Sequence, residues 1–440
     1  MLEREDWMKR AVPLIIWGDA GSLTKKGNSF LSMCFSFLLM SGWSWKSIFH
    51  MGGVCKSNRA HASVHGAGND TWRHIWKYYV LAFNSLFSGI HPEKDPFDRD
   101  WPVGSHQRDI AGKPIGGGYY FGVVWVATWD QEFASNELKC PHFNSLRFCL
   151  WCPCNRSNLN FRDVSVNTRW KQLQYQPGPT DRPVYDHPIW LIAGLTRFHS
   201  SGDEMHAIAL GPLQELHGSV IADLIDNELG RFVGGSNEAR VSEVWRELRS
   251  CIDRCGVAKR LTNLTVTMIG KPSRFPSLAS KAAEARSLIK PMLLLVREHP
   301  QINSMHWQHV ERCYKHIDDF YNVIEEAGLF LTTRQADIVK FSLERFTLHF
   351  STLTQLSAER GVPRYNFTTK LHTVYHIGVF AQYLSPKCSW TYAFEDFMKT
   401  LITIGKACSP GTPTKLIPMK IMEHYMLVMS LVLHGRLYPR

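Results

Sequence analysis

The chain carries no P-loop, no GxGxxG or GxSxG turn, no kinase signature and no HExxH helix. Phosphate-cradle, dinucleotide, serine-hydrolase and zincin chemistries therefore lack their usual sequence marks. Gly116-Gly117-Gly118 precedes a β-like run rather than a helix, so no helix N-terminus follows it to receive a phosphate. The opening MLEREDWMKR is amphipathic and carries acids at Glu3, Glu5 and Asp6, unlike a secretory leader. Long apolar runs are scarce: Phe30 to Trp43 is broken by Ser and Cys and is too short to span a bilayer. Eleven cysteines in 440 residues do not make a secreted disulfide scaffold. Low-complexity tracts and internal repeats are absent. Acids are in short supply, 39 against 50 Lys+Arg for a net charge of +11. The expectation is a soluble protein of a reducing, nuclear or cytosolic compartment, with no membrane segment and a polyanionic partner, most simply nucleic acid.

What is present is enough for an ordered core. Hydrophobic residues make up 44% and aromatics 12% of the chain, including 15 Trp, so disorder over most of the length is excluded. Two regimes divide the sequence. Residues 11–200 hold short apolar runs among Gly, Pro and aromatics. Val12 to Trp17, Phe30 to Met40 and Tyr119 to Trp129 read as strands. A polar, His-rich stretch at 50–76, Pro/Gly-rich loops at 91–118, and a long loop at 155–190 centred on Pro177-Gly178-Pro179 lie between and after them. From Asp203 the period turns helical. Met205 to Ile225, Val241 to Cys255, Ser280 to Arg297, His306 to Ala327 and Arg334 to Thr354 each show one apolar face.

Several groups could carry chemistry. Asp19 follows the run Pro13-Leu14-Ile15-Ile16-Trp17-Gly18, and Asp130 ends Val123 to Trp129. A carboxylate at the exit of a buried strand is held rigidly, as a metal site requires; a plain turn aspartate is the commoner explanation. Asp203 suits a helix N-cap, and His206 shares its side of the helix. Cys140, His142, Cys149, Cys152 and Cys154 fall close together, and Cys149/Cys152 have the two-residue gap of a zinc knuckle. Cys140 and His142 could complete a zinc set, or distant histidines such as His187 or His199 could. His372 and His376 share a helix face at i, i+4 and read by default as a packed pair. Glu395 lies on an amphipathic helix beside Asp396.

In this order the segments resemble the transposases of CACTA-type DNA transposons. Pro13 to Asp19 is similar to that family's first strand, ending in Gly-Asp. Asp130 with Cys149/Cys152 resembles its second acid and nearby cysteine motif. Asp203-Glu204-Met205-His206 with Leu210-Gly211 is similar to its Asp-x-Met-His…Leu-Gly signature. Lys370-Leu371-His372…His376 and Phe394-Glu395-Asp396-Phe397-Met398-Lys399 resemble its late stretches. Asp130 follows Trp where the family has Gly, and Asp396 stands in place of an arginine.

The resemblance implies an α/β fold with a large all-α insertion, an RNase H-like mixed-sheet core interrupted by a helical domain. Its expected parts are a first core segment at 1–200 with a Cys-rich loop at 140–154, a helical insertion at 201–360, and a returning catalytic helix with C-terminal helices at 361–440. It implies a DDE mechanism of DNA strand cleavage and transfer, with Asp19, Asp130 and Glu395 on Mg²⁺ or Mn²⁺, supported by Asp203 and His206. Asp203 is the reserve for the second acid. Cys140, His142, Cys149 and Cys152 could hold structural Zn²⁺. The implied partner is DNA at transposon ends, in the nucleus, and a homodimer is compatible. The likeness starts at Pro13, so the chain reads as N-terminally truncated and compatible with an inactive copy. The alternative is a non-catalytic DNA- or protein-binding module with a structural zinc site.

Overall fold

The structure is a computed structural model and describes all residues except 1–5, 25–27, 41–43, 61–69, 177, 179–185, 201, 259–260, 271–273 and 435–440. Residues 61–69 of the His-rich stretch and the Pro177 and Pro179 loop centre thus lie outside the described residues. The fold is mixed α/β, with a four-stranded mixed sheet and 54% helix. It divides into two compact units. One comprises Met1–Leu150, Gln176–Ser201 and Thr391–Arg440; the other comprises Trp151–Tyr175 and Gly202–Trp390. The chain returns to the first unit at Thr391 rather than at 361, and the segment after Leu150 goes with the second.

The first unit is built on strands β1 (Ala11–Ser22), β2 (Ser29–Phe37), β3 (Ile48–Cys55) and β4 (Phe121–Thr128), in the order β3-β2-β1-β4. β1, β2 and β3 form an antiparallel meander, and β4 joins β1 in parallel. A parallel neighbour requires a crossover, and helix α1 (Thr71–Ser88) lies within it. Asp70 caps α1 by accepting from the Trp72 and Arg73 amides at 3.0 and 3.2 Å, and Gly89 ends it at φ 76°. Helix α2 (Gln131–Leu138) follows β4. Leu14 to Gly18 are all buried, as expected of a central strand covered on both faces.

Sequence reasoning missed β3. His50, Gly52 and Gly53 interrupt its apolar alternation, and the strand exists because β2 pairs with it. His50 is buried there, its Nδ1 3.1 Å from Ser32 Oγ. The run predicted at 119–129 is real, but as the fourth strand rather than the third.

The second unit is helical: α3 (Pro212–Leu224), α4 (Asn237–Cys255), α5 (Ile289–Arg297), α6 (Met305–Glu326), α7 (Thr333–Glu359) and α8 (Thr369–Phe380). The run predicted as one helix from Met205 to Ile225 is broken. Met205–Ala209 form a widened π turn, with Leu210 N donating to Met205 O at 2.9 Å. The regular helix starts at Pro212, whose ring favours the first helical position. Two further helices, α9 (Tyr392–Cys408) and α10 (Ile417–Leu433), complete the first unit.

Among the described residues one stretch, Thr414–Leu433, is long and apolar enough to cross a membrane by length and composition. Its Ile417, Ile421, Tyr425, Met429 and Val432 are buried, while Met419, Met426, Leu427 and Leu433 are exposed.

Candidate functional site

In the sheet unit, three sequence-predicted acids lie on elements that pack together. The β1–β4 register runs Ile15–Val126, Ile16–Ala127, Trp17–Thr128. The ladder ends there: Asp19 lies further along β1, paired with Ser32 of β2, and Asp130 follows the end of β4 as the cap of α2. Alternation puts Asp19 on the face of Trp17 and Gly21, and helix α9 covers that face. Trp17 stacks on Phe394 with ring centres 5.3 Å apart. A Cβ added to Gly21 would come within 2.4 Å of Ile402 Cγ1 and 3.0 Å of Met398 Cε. Glu395 follows Phe394 in α9. On the opposite face, a Cβ at Gly18 would meet Phe133 of α2 at 2.4 Å. The two glycines let a helix close on each side of β1.

Burying Phe394, Phe397, Met398 and Leu401 anchors α9 with roughly 1.5–3 kcal/mol per side chain. A substrate contact does not have to supply that energy. Asp19, Asp130 and Glu395 themselves are only partly buried. Asp19 Oδ1 accepts from the Ala20 amide at 2.6 Å. Asp130 Oδ1 accepts from the Phe133 amide at 2.6 Å and caps α2. The plain structural explanation is therefore true of Asp130, as a helix cap.

Asp203 and His206 belong to the helical unit. Asp203 is buried and accepts from the Met205 amide at 3.0 Å, and its other oxygen pairs with His206 Nδ1. The expected helix cap is thus a cap on the π turn that also fixes an imidazole whose side chain is 27% exposed. Glu204 was read as a complement to the helix N-terminus but is fully buried. It is bonded by Tyr321 Oη, and burial pushes its carboxyl up to about 7.

The second constellation is a four-residue cluster of buried ligands. One ligand atom from each of Cys149, Cys152, His372 and His376 lies within 4.8 Å of the others. His372 Nε2 is 3.3 Å from Cys152 Sγ and 3.1 Å from His376 Nε2. Zn–N bonds of about 2.0–2.1 Å and Zn–S bonds of about 2.3 Å in a tetrahedron set ligand atoms roughly 3.3–3.8 Å apart, and the cluster fits that frame. This Cys2His2 group could hold a metal such as zinc. Its walls are aromatic: Trp170 is 4.5 Å from His372 and Trp151 is 5.1 Å from His376, ring centre to ring centre.

Two expected zinc ligands are corrected. Cys140 is buried away from the cluster, with its thiol pushed up to about 12, and its amide closes the end of α2 on Ala134 O. His142 Nδ1 accepts from the Asn144 amide at 3.1 Å. The alternatives fail as well. His187 packs on Trp76 and is pushed down to about 3 by burial, and His199 Nδ1 accepts from the Thr196 amide. The group that could hold the ion instead joins Cys149 and Cys152 to the pair first read as merely packed. A CxxC with no nearby second pair, together with an HxxxH on one helix face, was the signal that could have joined them.

No protein-family model matches the chain, and no curated protein matches it either.

Proposed function

We infer that the chain is a transposase-derived DNA nuclease and strand transferase with an RNase H-like core, in which Asp19, Asp130 and Glu395 form the acidic centre. One observation supports this reading: β1, which carries Asp19, pairs in parallel with β4, which Asp130 follows, and the Trp17–Phe394 stack packs the helix of Glu395 against β1. The meander with a parallel fourth strand supports the RNase H-like assignment. Three partly exposed carboxylates are hard oxygen donors, suited to Mg²⁺ or Mn²⁺. Such ions, when bound, activate a water or a DNA 3′-hydroxyl and stabilise the leaving oxygen of an in-line displacement. The protein's own contribution is position. Backbone amides hold one oxygen each of Asp19 and Asp130, so the acids are set before the ions arrive. Asp130, rather than Asp203, is the second acid, because Asp203 spends both oxygens on the Met205 amide and His206. In this reading the protein acts on nuclear DNA.

The test is cleavage of end-labelled duplex and supercoiled DNA with Mg²⁺ or Mn²⁺. Asp19→Ala and Glu395→Gln are expected to abolish cutting, by at least about three orders of magnitude, with circular dichroism unchanged. Undiminished cutting by Asp19→Ala would remove that residue from the mechanism. A second reading, a non-catalytic binding module stapled by zinc, is favoured by the Cys2His2 cluster alone. Salt-sensitive DNA binding with no metal-dependent cleavage would select it.

A further inference from the structure

We propose that the segment Trp151–Tyr175, which leads out of the Cys2His2 cluster, is a preorganised contact for the phosphate backbone of duplex DNA, read by Arg156, Arg162 and Arg169. The proposal rests on the DNA part of the reading above and not on its catalytic part.

The segment carries Arg156, Arg162, Arg169 and Lys171 against one acid, Asp163. The internal charges are spent locally. Lys171 Nζ donates to Val164 O at 2.8 Å, lies over the Tyr375 ring and is met by Glu344 from α7. Asp163 Oδ1 accepts from the Ser165 amide and hydroxyl at 3.1 and 2.7 Å. The three arginines are exposed. Arg156 and Arg162 both lie over the buried Phe161 ring, their guanidinium carbons 5.4 and 5.8 Å from its centre. Among the described residues neither Arg162 nor Arg169 is in an ion pair. Planar guanidinium groups suit phosphate oxygens, and stacking on an aromatic ring fixes them in advance, which cuts the ordering cost of binding.

The backbone beneath them is tied down as well. Asn155 Oδ1 accepts from the Ser157 and Leu159 amides at 2.8 and 3.2 Å. Trp170, fully buried, donates from Nε1 to Asp163 O at 2.8 Å and packs on His372. A solvated surface with scattered cations would need none of this rigidity. Two guanidinium groups stacked on one ring, with a third exposed on the same segment, match a row of phosphates.

Binding of a labelled mixed-sequence duplex, measured by anisotropy without divalent cations across a salt series, tests the proposal. Each phosphate contact adds about 0.9 to the slope of log K against log salt. R156Q/R162Q/R169Q should therefore flatten the slope by between two and three and weaken binding roughly tenfold per arginine near 0.1 M salt. The control R249Q/R274Q/R334Q removes the same charge from exposed positions elsewhere and should move the slope far less. An equal effect of the control, or an unchanged slope in the first variant, overturns the proposal. Tighter binding of duplex RNA than of duplex DNA overturns the choice of partner. Asp19→Ala should bind DNA as the parent does, so failed cleavage and failed docking are told apart.

Discussion

Asp19, Asp130 and Glu395 in the sheet unit are partly exposed, and the first two are steadied by backbone amides at 2.6 Å. Asp223 in the helical unit is fully buried and bonded by His306 at 3.0 Å, Tyr365 at 2.5 Å and Arg364 at 3.3 Å. Both are carboxylates in ordered surroundings, yet their environments suit different work. A buried acid with three side-chain partners is a fixed architectural part: its desolvation is offset only by that full set, and removing one partner costs about 3–5 kcal/mol. A partly exposed acid steadied by a backbone amide is held in direction yet reachable, which is what a metal-dependent centre needs. Asp223 therefore ties elements of the helical unit together, whereas the three acids of the sheet unit stand partly open to solvent.

The largest expected effect strips the cluster. Structural zinc in small domains contributes roughly 10–16 kcal/mol of apparent binding free energy, more than any single side chain discussed above. Cys152→Ser, or a strong chelator, should expose the Trp151–Tyr175 amides and those of α8 to hydrogen exchange, while β1, β2 and β4 keep their protection. Metal content measured on the purified protein should fall from near one ion per chain to near none. Equal loss of protection in the sheet would break the comparison, because the units would then not be separately stabilised. A metal-free parent protein with the same protection would make the four ligands a hydrogen-bonded core cluster.

A mid-sized effect is expected at Gly21. An added Cβ lies 2.4 Å from Ile402 Cγ1, and overpacking of this kind costs about 1–3 kcal/mol. Gly21→Ala should lower the denaturation midpoint and, by shifting α9, weaken Mn²⁺ binding at the acids by about tenfold. Gly21→Ala/Ile402→Ala removes the colliding side chain and should restore Mn²⁺ affinity, although the lost Ile402 contacts keep stability low. If Mn²⁺ affinity tracked stability in both variants, α9 position would have no separate role. The neighbouring sheet position Gly52 has φ 133° and a Cβ no nearer than 3.3 Å to Tyr79 Oη, so its constraint is backbone conformation rather than helix docking.

The elements legible in sequence were those whose side chains announce their own period. β1 and β4 are dense in Ile, Val and Trp, and α4, α6 and α7 show one apolar stripe each, so they appear close to where they were expected. β3 was not legible because its stability comes from pairing with β2 and from a buried Ser32–His50 contact, neither of which leaves a local pattern. Asp19 was read as a strand-exit residue, yet β1 runs on to Ser22 and pairs Asp19 with Ser32, a continuation that Gly18 and Gly21 do not announce. The metal ligands failed differently. The preference for nearby partners favoured Cys140 and His142, whereas the fold joins a CxxC to histidines on a helix 220 residues away from Cys152. Proximity along the chain is a weak guide once a long insertion separates two halves of a site.

The smallest effect separates the units by acid. His217 in the helical unit is fully buried between Tyr314 Oη and Ala285 O, each at 2.9 Å, and burial pushes its imidazole down to about 4 from an ordinary 6.5. The folded state thus favours the neutral ring. Its contribution is fully present above about pH 6.5 and is lost as pH falls toward 4, at about 1.4 kcal/mol per pH unit. His217→Gln should be less stable than the parent at pH 7.5, where two hydrogen bonds are disturbed, by about 1–3 kcal/mol. At pH 5 the parent has lost about 2 kcal/mol that the variant never had, so the gap should close or reverse. Local opening free energies of the α3 amides, measured by hydrogen exchange at both pH values, report this directly. The sheet amides should show the same acid loss in parent and variant, because their own buried imidazole, His50, is also pushed down to about 4 and is untouched by the substitution. A gap at α3 that stays constant with pH would mean that His217 is not held neutral by burial, and that polar groups of the helical unit are less sealed than those of the sheet.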